Sequence, residues 1–198
     1  GLQSLLHVLH ESSVNIDMII NDKKTVCMIF QPVCRSKALQ CEFPKFQLSG
    51  TEIQYVHTFR YLGHLINDSA TDTDDIQREI RNLFIRTNVL VRKFHRCSLA
   101  VKIRLFKTFC LCFYGIGLWS SFTMSCINKL KSAYHKCIKS FFGFARRDSV
   151  TDILLQLGLP TFDTVMYNYR QSLKLQCSNC CNALISHLNI LKSYSNTV

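Results

Sequence analysis

Apolar positions in the first 66 residues change their spacing several times, which predicts one helix followed by short strands. Leu2, Leu5, Leu6 and Leu9 recur at helical spacing and predict an amphipathic helix to about Glu11. The apolar runs VNIDMII and TVCMIF flank the turn-forming residues NDKK, and this pattern predicts a β-hairpin. The runs TEIQYV and FRYLGHLI predict a second pair of short strands.

From Asn67 onward the spacing becomes helical and stays so. The segment NDSATDTDDIQREIRNLFIRTNVLVRKF opens with helix-capping side chains. Its apolar positions then recur with a period of 3.6 residues, at Ile76, Ile80, Leu83, Phe84, Leu90 and Val91. Further amphipathic segments follow, and Gly158 and Pro160 are expected to end one helix before another begins. The sequence therefore predicts an α+β protein that is predominantly α.

One segment tests whether the chain crosses a membrane. The 21 residues between Lys107 and Lys129 carry no formal charge, and an uncharged run of this length could form a membrane-spanning helix. Several Ser and Thr residues dilute its hydrophobicity, and basic residues on both sides give no charge asymmetry. We expect a buried core helix here and no membrane insertion.

The charge distribution is the most informative feature of the composition. The chain has 24 Lys and Arg against 13 Asp and Glu, a net charge of +11. The segment 80–147 holds 14 basic residues and no carboxylate, whereas residues 1–79 carry 7 basic and 10 acidic residues. Such a positive field destabilises a compact fold unless a polyanion screens it, which favours nucleic acid over an anionic membrane surface. Most of the aromatic residues in this segment occupy core-facing positions and are expected to pack.

The cysteines and the first residues bear on location. Eleven cysteines are scattered through apolar stretches, and an odd, dispersed set is typical of reduced thiols. No signal peptide is recognisable, so we expect an intracellular protein, in the nucleus or cytoplasm, that is not secreted. Because the chain starts at Gly1 inside a predicted helix, we interpret it as a fragment of a longer reading frame.

Two clusters could in principle bind a metal. Asp72, Asp74 and Asp75 are the one group of clustered carboxylates, but acidic residues at a helix start are typical of capping. The sulfur and imidazole groups of Cys177, Cys180, Cys181 and His187 include enough soft ligands for zinc, yet the spacing matches no recognised knuckle. We therefore predict no metal site and leave the zinc possibility open. The sequence contains no hydrolase triad, phosphate-binding glycine loop or dinucleotide fingerprint.

An ordered series of short motifs resembles a known family. The series comprises GLQSLL, the pattern NxxKTxxMxF at residues 21–30, FRYLGHLI at residues 59–66, and the basic helix DIQREIRNLFIRTNVLVRKF. It resembles the region after the catalytic YADD box in reverse transcriptases of non-LTR (LINE-type) retrotransposons. The resemblance implies the C-terminal part of a polymerase palm at residues 1–66. A basic helical thumb at 67–160 and a helical tail at 161–198 would follow.

The resemblance also implies roles for individual residues. Lys24 would assist departure of pyrophosphate, in a turn fixed by Asn21 and Thr25. A strand pair around Phe59, Tyr61 and Gly63 would position the primer end, with Gly63 allowing close backbone approach. The thumb would hold an RNA:DNA hybrid or duplex by its phosphates, independently of sequence. The cations implied in this contact are Arg86, Arg92, Lys93, Arg96, Lys102, Arg104 and Lys107.

The chain also departs from the family pattern. It lacks the paired aspartates of the YADD box and the earlier aspartate that shares the metals, which would precede Gly1. Mg²⁺ belongs to the complete family enzyme, so no cofactor is expected in this chain and we predict that it is inactive alone. Its expected partners are nucleic acid and the missing N-terminal palm and fingers of the same frame. The alternatives are a stand-alone nonspecific nucleic-acid-binding module and, less favoured, a membrane-associated protein.

Overall fold

The computed structural model describes residues 1–30 and 43–187. The chain divides into two compact units, with the boundary between Asp74 and Asp75. The described chain is mostly helical, with a few short two-stranded sheets. The predicted fold class, α+β and predominantly α, is therefore confirmed.

In its described residues, the N-terminal unit combines one helix, one 3₁₀ turn and six very short strands. Helix α1 spans Leu2–Asn15, one turn beyond the predicted end, and the 3₁₀ turn spans Asp22–Lys24. The strands are β1 Val26–Cys27, β2 Gln47–Leu48, β3 Thr51–Glu52, β4 Gln54–Tyr55, β5 Thr58–Tyr61 and β6 His64–Asn67. They pair as β1 with β4 in parallel, and as β2 with β3 and β5 with β6 in antiparallel fashion.

The hairpin predicted from VNIDMII and TVCMIF was wrong. Val14 and Asn15 belong to α1, and the 3₁₀ turn separates them from β1. β1 pairs with β4, so its partner comes from much later in the chain. The β-branched residues of the first run are compatible with a helix end, since tertiary context overrides a weak strand propensity.

The strand pair predicted from TEIQYV and FRYLGHLI exists in another arrangement. FRYLGHLI forms both strands of one hairpin, in which Tyr61 pairs with His64 across a two-residue turn. The turn residues Leu62 and Gly63 have φ values of 47° and 87°. Positive φ at both turn positions is the geometry of a type I′ turn, which matches the twist of the two strands. Gly63 is thus required by the turn itself.

Five of the helices in the described part of the helical unit enclose one apolar core. They are α2 Thr73–Phe94, α3 Leu99–Cys110, α4 Met124–Phe142, α5 Val150–Leu157 and α6 Phe162–Ser178, of which α2 begins two residues before the unit boundary. α4 contributes the longest buried stripe, with Ile127, Leu130, Tyr134, Ile138 and Phe141 at helical spacing. All five helices place side chains in this core.

The uncharged segment is not the single core helix that we predicted. α3 ends at Cys110 and α4 begins at Met124, so residues 111–123 form an irregular connection. Gly115 has a φ of 83°, which helical backbone does not allow. Phe113, Ile116 and Trp119 are nevertheless buried, so the segment is part of the core. Within the described residues no helix is both long and apolar enough to span a membrane.

The predicted helix end at Gly158 is confirmed. Gly158 closes α5 in the left-handed conformation, and Thr161 caps α6 by accepting a hydrogen bond from the amide of Thr164. Phe162, Val165 and Met166 of α6 join the same core as α2 and α4. The last residues of the predicted tail, 188–198, lie outside the described residues.

Candidate nucleic-acid interface

A buried ion cluster on α2 determines how charge is distributed over the helical unit. Asp75 and Glu79 lie in the stripe of α2 that faces the core, and the side chain of Glu79 is 0% exposed. Arg78 Nε donates to Asp75 Oδ1 at 2.6 Å, and Arg86 Nη2 donates to Glu79 Oε1 at 2.5 Å. Arg78 Nη1 also reaches Glu79 Oε2 at 3.3 Å. Two acids are therefore neutralised internally by two arginines.

The tryptophan of the irregular segment belongs to the same cluster. Trp119 Nε1 donates to Asp75 Oδ2 at 2.8 Å, which ties residues 111–123 to α2. α6 holds the other side of this segment, because Tyr169 Oη donates to the carbonyl of Leu111 at 2.9 Å. These two side-chain hydrogen bonds supplement the short-range backbone bonds within the segment, such as that from Leu118 N to Gly115 O.

The aspartates that the sequence grouped together are separated by their partners. Asp74 Oδ2 accepts from Asn67 Nδ2 at 3.0 Å, whereas Asp75 is buried against Arg78 and Trp119. Asp75 lies in the first turn of α2, as the capping interpretation expects, and its carboxylate is also paired with Arg78 and Trp119. The described residues contain no group of three or more metal-ligating side chains.

Segment 80–147 contributes only positive charges to the surface of the helical unit, because it contains no carboxylate. The exposed cations of segment 80–147 are Arg81, Arg92, Lys93, Arg96, Arg104, Lys107, Lys129, Lys136, Arg146 and Arg147. Among the described residues, none of them lies within ion-pair distance of a carboxylate. We call this set the exposed cations. It contains five of the seven thumb cations that the resemblance implied.

The other two implied cations have internal contacts. Arg86 is held by Glu79, and its side chain is only 25% exposed. Lys102 is half-buried, with its Nζ 5.9 Å from the centre of the Phe141 ring. Lys131 is likewise paired with Asp163 at 2.5 Å. These side chains contribute to the fold, so they are weaker candidates for contact with a ligand.

The turn after α4 presents two of the exposed cations. Lys139 Nζ donates to the carbonyls of Arg146 and Asp148 at 2.7 Å each, and Asp148 Oδ2 accepts from the amide of Ala145. These bonds fix the backbone of the turn while Arg146 and Arg147 point to solvent.

An open groove of about 760 Å³ runs between α2 and α4. Its α4 wall carries Lys129 and Lys136 together with neutral polar groups, and its floor is apolar. The other lining residues are Gln77, Ile80, Phe84, Ser125, Asn128, Ser132 and Ala133. Phe84 belongs to the apolar stripe predicted for α2, but it is 37% exposed. The position of Phe84 at the edge of that stripe is the sequence signal that could have predicted its exposure.

Lys24 lies at the end of the 3₁₀ turn and is exposed. The side chain of Asn21 accepts from the amide of Lys24 at 3.0 Å, and Thr25 Oγ1 donates to the carbonyl of Asn21 at 2.9 Å. Asn21 and Thr25 therefore do hold the turn that presents Lys24. Asp22 Oδ2 accepts from Thr51 Oγ1 at 3.1 Å, which attaches the turn to β3.

The proposed primer-positioning residues lie on the β5–β6 hairpin. Phe59 is half-buried, whereas Tyr61 is 56% exposed beside the turn that contains Gly63. The described structure brings these three residues together in one hairpin.

Cysteines of the helical unit are buried or dispersed. Burial raises the pKa of Cys110 and of Cys137 to about 11, so both thiols stay protonated at neutral pH. Cys177, Cys180, Cys181 and His187 all lie in the described part of the chain, which contains no metal-ligating group of three or more.

Aromatic side chains of the helical unit mostly pack, as expected. Phe106 stacks on Phe141, and Phe113 meets Phe162 edge to face with ring centres 5.9 Å apart. Tyr134 is buried and donates its hydroxyl to the carbonyl of Pro160 at 2.7 Å. These rings stabilise the core and are not available to stack on a ligand.

Comparison with known proteins reveals one distant similarity. The chain is 23% identical over 167 residues to the RNA-directed DNA polymerase from mobile element jockey of Drosophila funebris. The match covers 81% of this chain but 17% of that protein, so the chain spans about a sixth of the relative's length. No family model matches the chain, and no solved structure matches it. The similarity relates the chain to a non-LTR retrotransposon reverse transcriptase.

Proposed function

We propose that this chain is the C-terminal palm and thumb part of a non-LTR retrotransposon reverse transcriptase. Its helical unit would bind the template–primer duplex, an RNA:DNA hybrid, without reading sequence. The observation that carries this proposal is the set of exposed cations, which face solvent while Asp75 and Glu79 are buried with arginine partners. The distant similarity to a mobile-element polymerase supports it.

The physical argument rests on the phosphates. A duplex carries one negative charge per about 1.7 Å of its axis, and each phosphate that a cation neutralises releases condensed counterions. Lysine and arginine on helices supply this contact without base specificity. Helices α2 and α3 each carry such cations at exposed positions, for example Arg92, Arg104 and Lys107.

The N-terminal unit would act on the primer side. The exposed Lys24, on a turn fixed by Asn21 and Thr25, would neutralise charge on the departing pyrophosphate. The exposed Tyr61 and the hairpin turn at Gly63 would contact the primer end. Because the given sequence contains no YADD motif, we expect the chain to bind nucleic acid without extending a primer by itself.

Salt-dependent binding tests the role of the exposed cations. The interface variant carries Arg92→Ala, Lys93→Ala and Arg96→Ala, and the control carries Lys23→Ala, Lys45→Ala and Lys174→Ala. Both lose three charges at exposed positions. For an RNA:DNA hybrid, we expect the interface variant to flatten the slope of log affinity against log salt by about 2.7. The control should keep the wild-type slope, and an interface variant that binds as tightly as wild type overturns the proposal.

A primer-extension assay tests the missing catalytic site. The purified chain is mixed with template, primer, Mg²⁺ and deoxynucleotides, and we expect no extension. Extension by the purified chain would contradict the proposed loss of activity while leaving the binding role intact.

A second candidate function is a stand-alone, nonspecific nucleic-acid-binding module derived from such an element. The observation that favours it is that the exposed cations lie on a compact unit with its own core. An upstream reading frame that encodes YADD in the same transcript would favour the polymerase, and a separate start codon would favour the module.

A further inference from the structure

The groove between α2 and α4 is chemically different from the rest of the cationic surface. Its α4 wall combines two exposed cations, Lys129 and Lys136, with Ser125, Asn128 and Ser132. The two lysines are seven residues apart on one face of α4, about 10.5 Å along the helix axis. Along this wall the two cations therefore stand among a row of neutral hydrogen-bonding groups.

The floor of the groove is apolar and includes an aromatic ring. Phe84 is 37% exposed, and Ile80 and Ala133 lie beside it. An exposed ring next to cations suits a stacked base, because each base has a π-face that an aromatic side chain can contact. In a duplex the bases are already stacked on one another, so this surface is suited to an unpaired strand.

The neutral groups favour one type of sugar. Ser and Asn side chains and the amide of Gln77 both donate and accept hydrogen bonds, as the 2′-hydroxyl of RNA does. Lysines need only the phosphates, which RNA and DNA share. The excess of neutral groups over cations along the α4 wall therefore matches ribose better than deoxyribose.

We infer that the α2–α4 groove binds a single-stranded RNA segment, with phosphates on Lys129 and Lys136 and a base on Phe84. This inference rests on the proposed nucleic-acid-binding function and assigns it a second, separate surface. The hybrid would be held by cations outside the groove, such as Arg104 and Lys107 of α3.

Filter binding with three ligands tests the assignment. They are an unstructured 12-nucleotide RNA, a DNA of the same sequence, and a blunt 12-base-pair RNA:DNA hybrid. The groove variant is Lys129→Ala with Lys136→Ala, and its matched control is Arg104→Ala with Lys107→Ala. All four side chains are exposed, so both variants should keep the wild-type thermal melting temperature.

We expect the groove variant to lose at least tenfold in RNA affinity and to flatten its salt slope by about 1.4. Its affinity for the hybrid should change by less than threefold, and the α3 control should show the opposite pattern. The wild type should bind the RNA more tightly than the DNA. The inference is overturned if the groove variant binds RNA normally, loses both ligands equally, or if the DNA binds as tightly as the RNA.

Variants of Phe84 test the stacking contact. Phe84→Leu keeps an apolar floor but removes the ring, and we expect a loss of about fivefold or more in RNA affinity. Phe84→Tyr retains a ring and should bind within about twofold of wild type. Equal binding by the leucine variant would refute the base contact. Binding of the hybrid but not of the single strand refutes this inference alone, whereas a wild-type chain that binds no nucleic acid refutes the proposed function as well.

Discussion

Each of the two units of the chain is stabilised in a different way. In the helical unit, α2 to α6 bury a continuous apolar core that includes Phe106, Leu130 and Tyr134. Among the described residues of the N-terminal unit, the buried apolar side chains are those of Leu48 and Ile53. Helix α1 of that unit exposes much of its apolar stripe.

Local hydrogen bonds take over where the core is small. The side chain of Gln3 bonds to both backbone groups of Gln47, and Asn67 bonds to Thr71 and Asp74. Each such bond contributes only about 1 kcal/mol, whereas a buried side chain contributes several. We therefore expect single substitutions to lower the unfolding free energy more in the helical unit than in the N-terminal unit.

The largest effect is expected from Glu79→Ala. This change leaves Arg86 without its carboxylate partner in a largely buried site, while Arg78 keeps Asp75, and should cost about 3–5 kcal/mol of unfolding free energy. Denaturant unfolding followed by circular dichroism measures it. Glu52→Ala removes an exposed ion pair with Lys45 in the N-terminal unit and should leave stability unchanged. Equal effects from both changes would remove the contrast between the units.

Trp119→Phe should have the next largest effect. It removes the N–H that donates to buried Asp75, so the unfolding free energy should fall by about 1–3 kcal/mol. Tyr55→Phe is the matched aromatic change in the N-terminal unit, where the hydroxyl donates to the carbonyl of Pro44 at an exposed site. Thermal melting should shift for the first variant only, and a larger shift for Tyr55→Phe would contradict the comparison.

Leu62→Asn is expected to stabilise the N-terminal unit. Leu62 has a φ of 47°, a conformation that costs a branched residue about 1 kcal/mol and that asparagine tolerates. The variant should slow amide hydrogen exchange in β5 and β6 while leaving exchange in α4 unchanged. Faster exchange in the hairpin would show that the leucine makes a contact worth more than the strain.

The smallest effect concerns His135 of α4. Burial, followed by the nearby charges of Lys131 and Lys139, lowers the pKa of His135 below its usual 6.5. The proton therefore binds better to the unfolded chain, so the unfolding free energy should decline as the pH falls below about 6.5. In His135→Gln this decline should be shallower when unfolding is measured between pH 7.5 and 5.5. An unchanged pH dependence would show that His135 does not contribute to it.

Regular helices were predictable because their apolar spacing is long and consistent. The stripe of α2 gave Ile76, Leu83 and Leu90 as buried, and Gly158 correctly ended α5. The fold class followed from those patterns. The strands were harder to predict, because several are only two residues long. The pairing of β1 with β4 also depends on residues that are far apart in sequence.

The candidate interface was only partly predictable. Charge counting located segment 80–147, but it could not tell the exposed Arg92 from Arg86, which Glu79 holds. Glu79 lies within the apolar stripe of α2, and an acid at such a position indicates a buried partner. The α2–α4 groove depends on how two helices pack, which the spacing within each helix does not determine.

The indole at position 119 has a practical consequence. It is the chain's single tryptophan, and it is buried beside the Asp75 carboxylate. Its ultraviolet emission therefore originates in the helical unit alone. A shift of that tryptophan emission to longer wavelength would report solvent entering the helical core, and the N-terminal unit, which has no tryptophan, would not contribute to the shift.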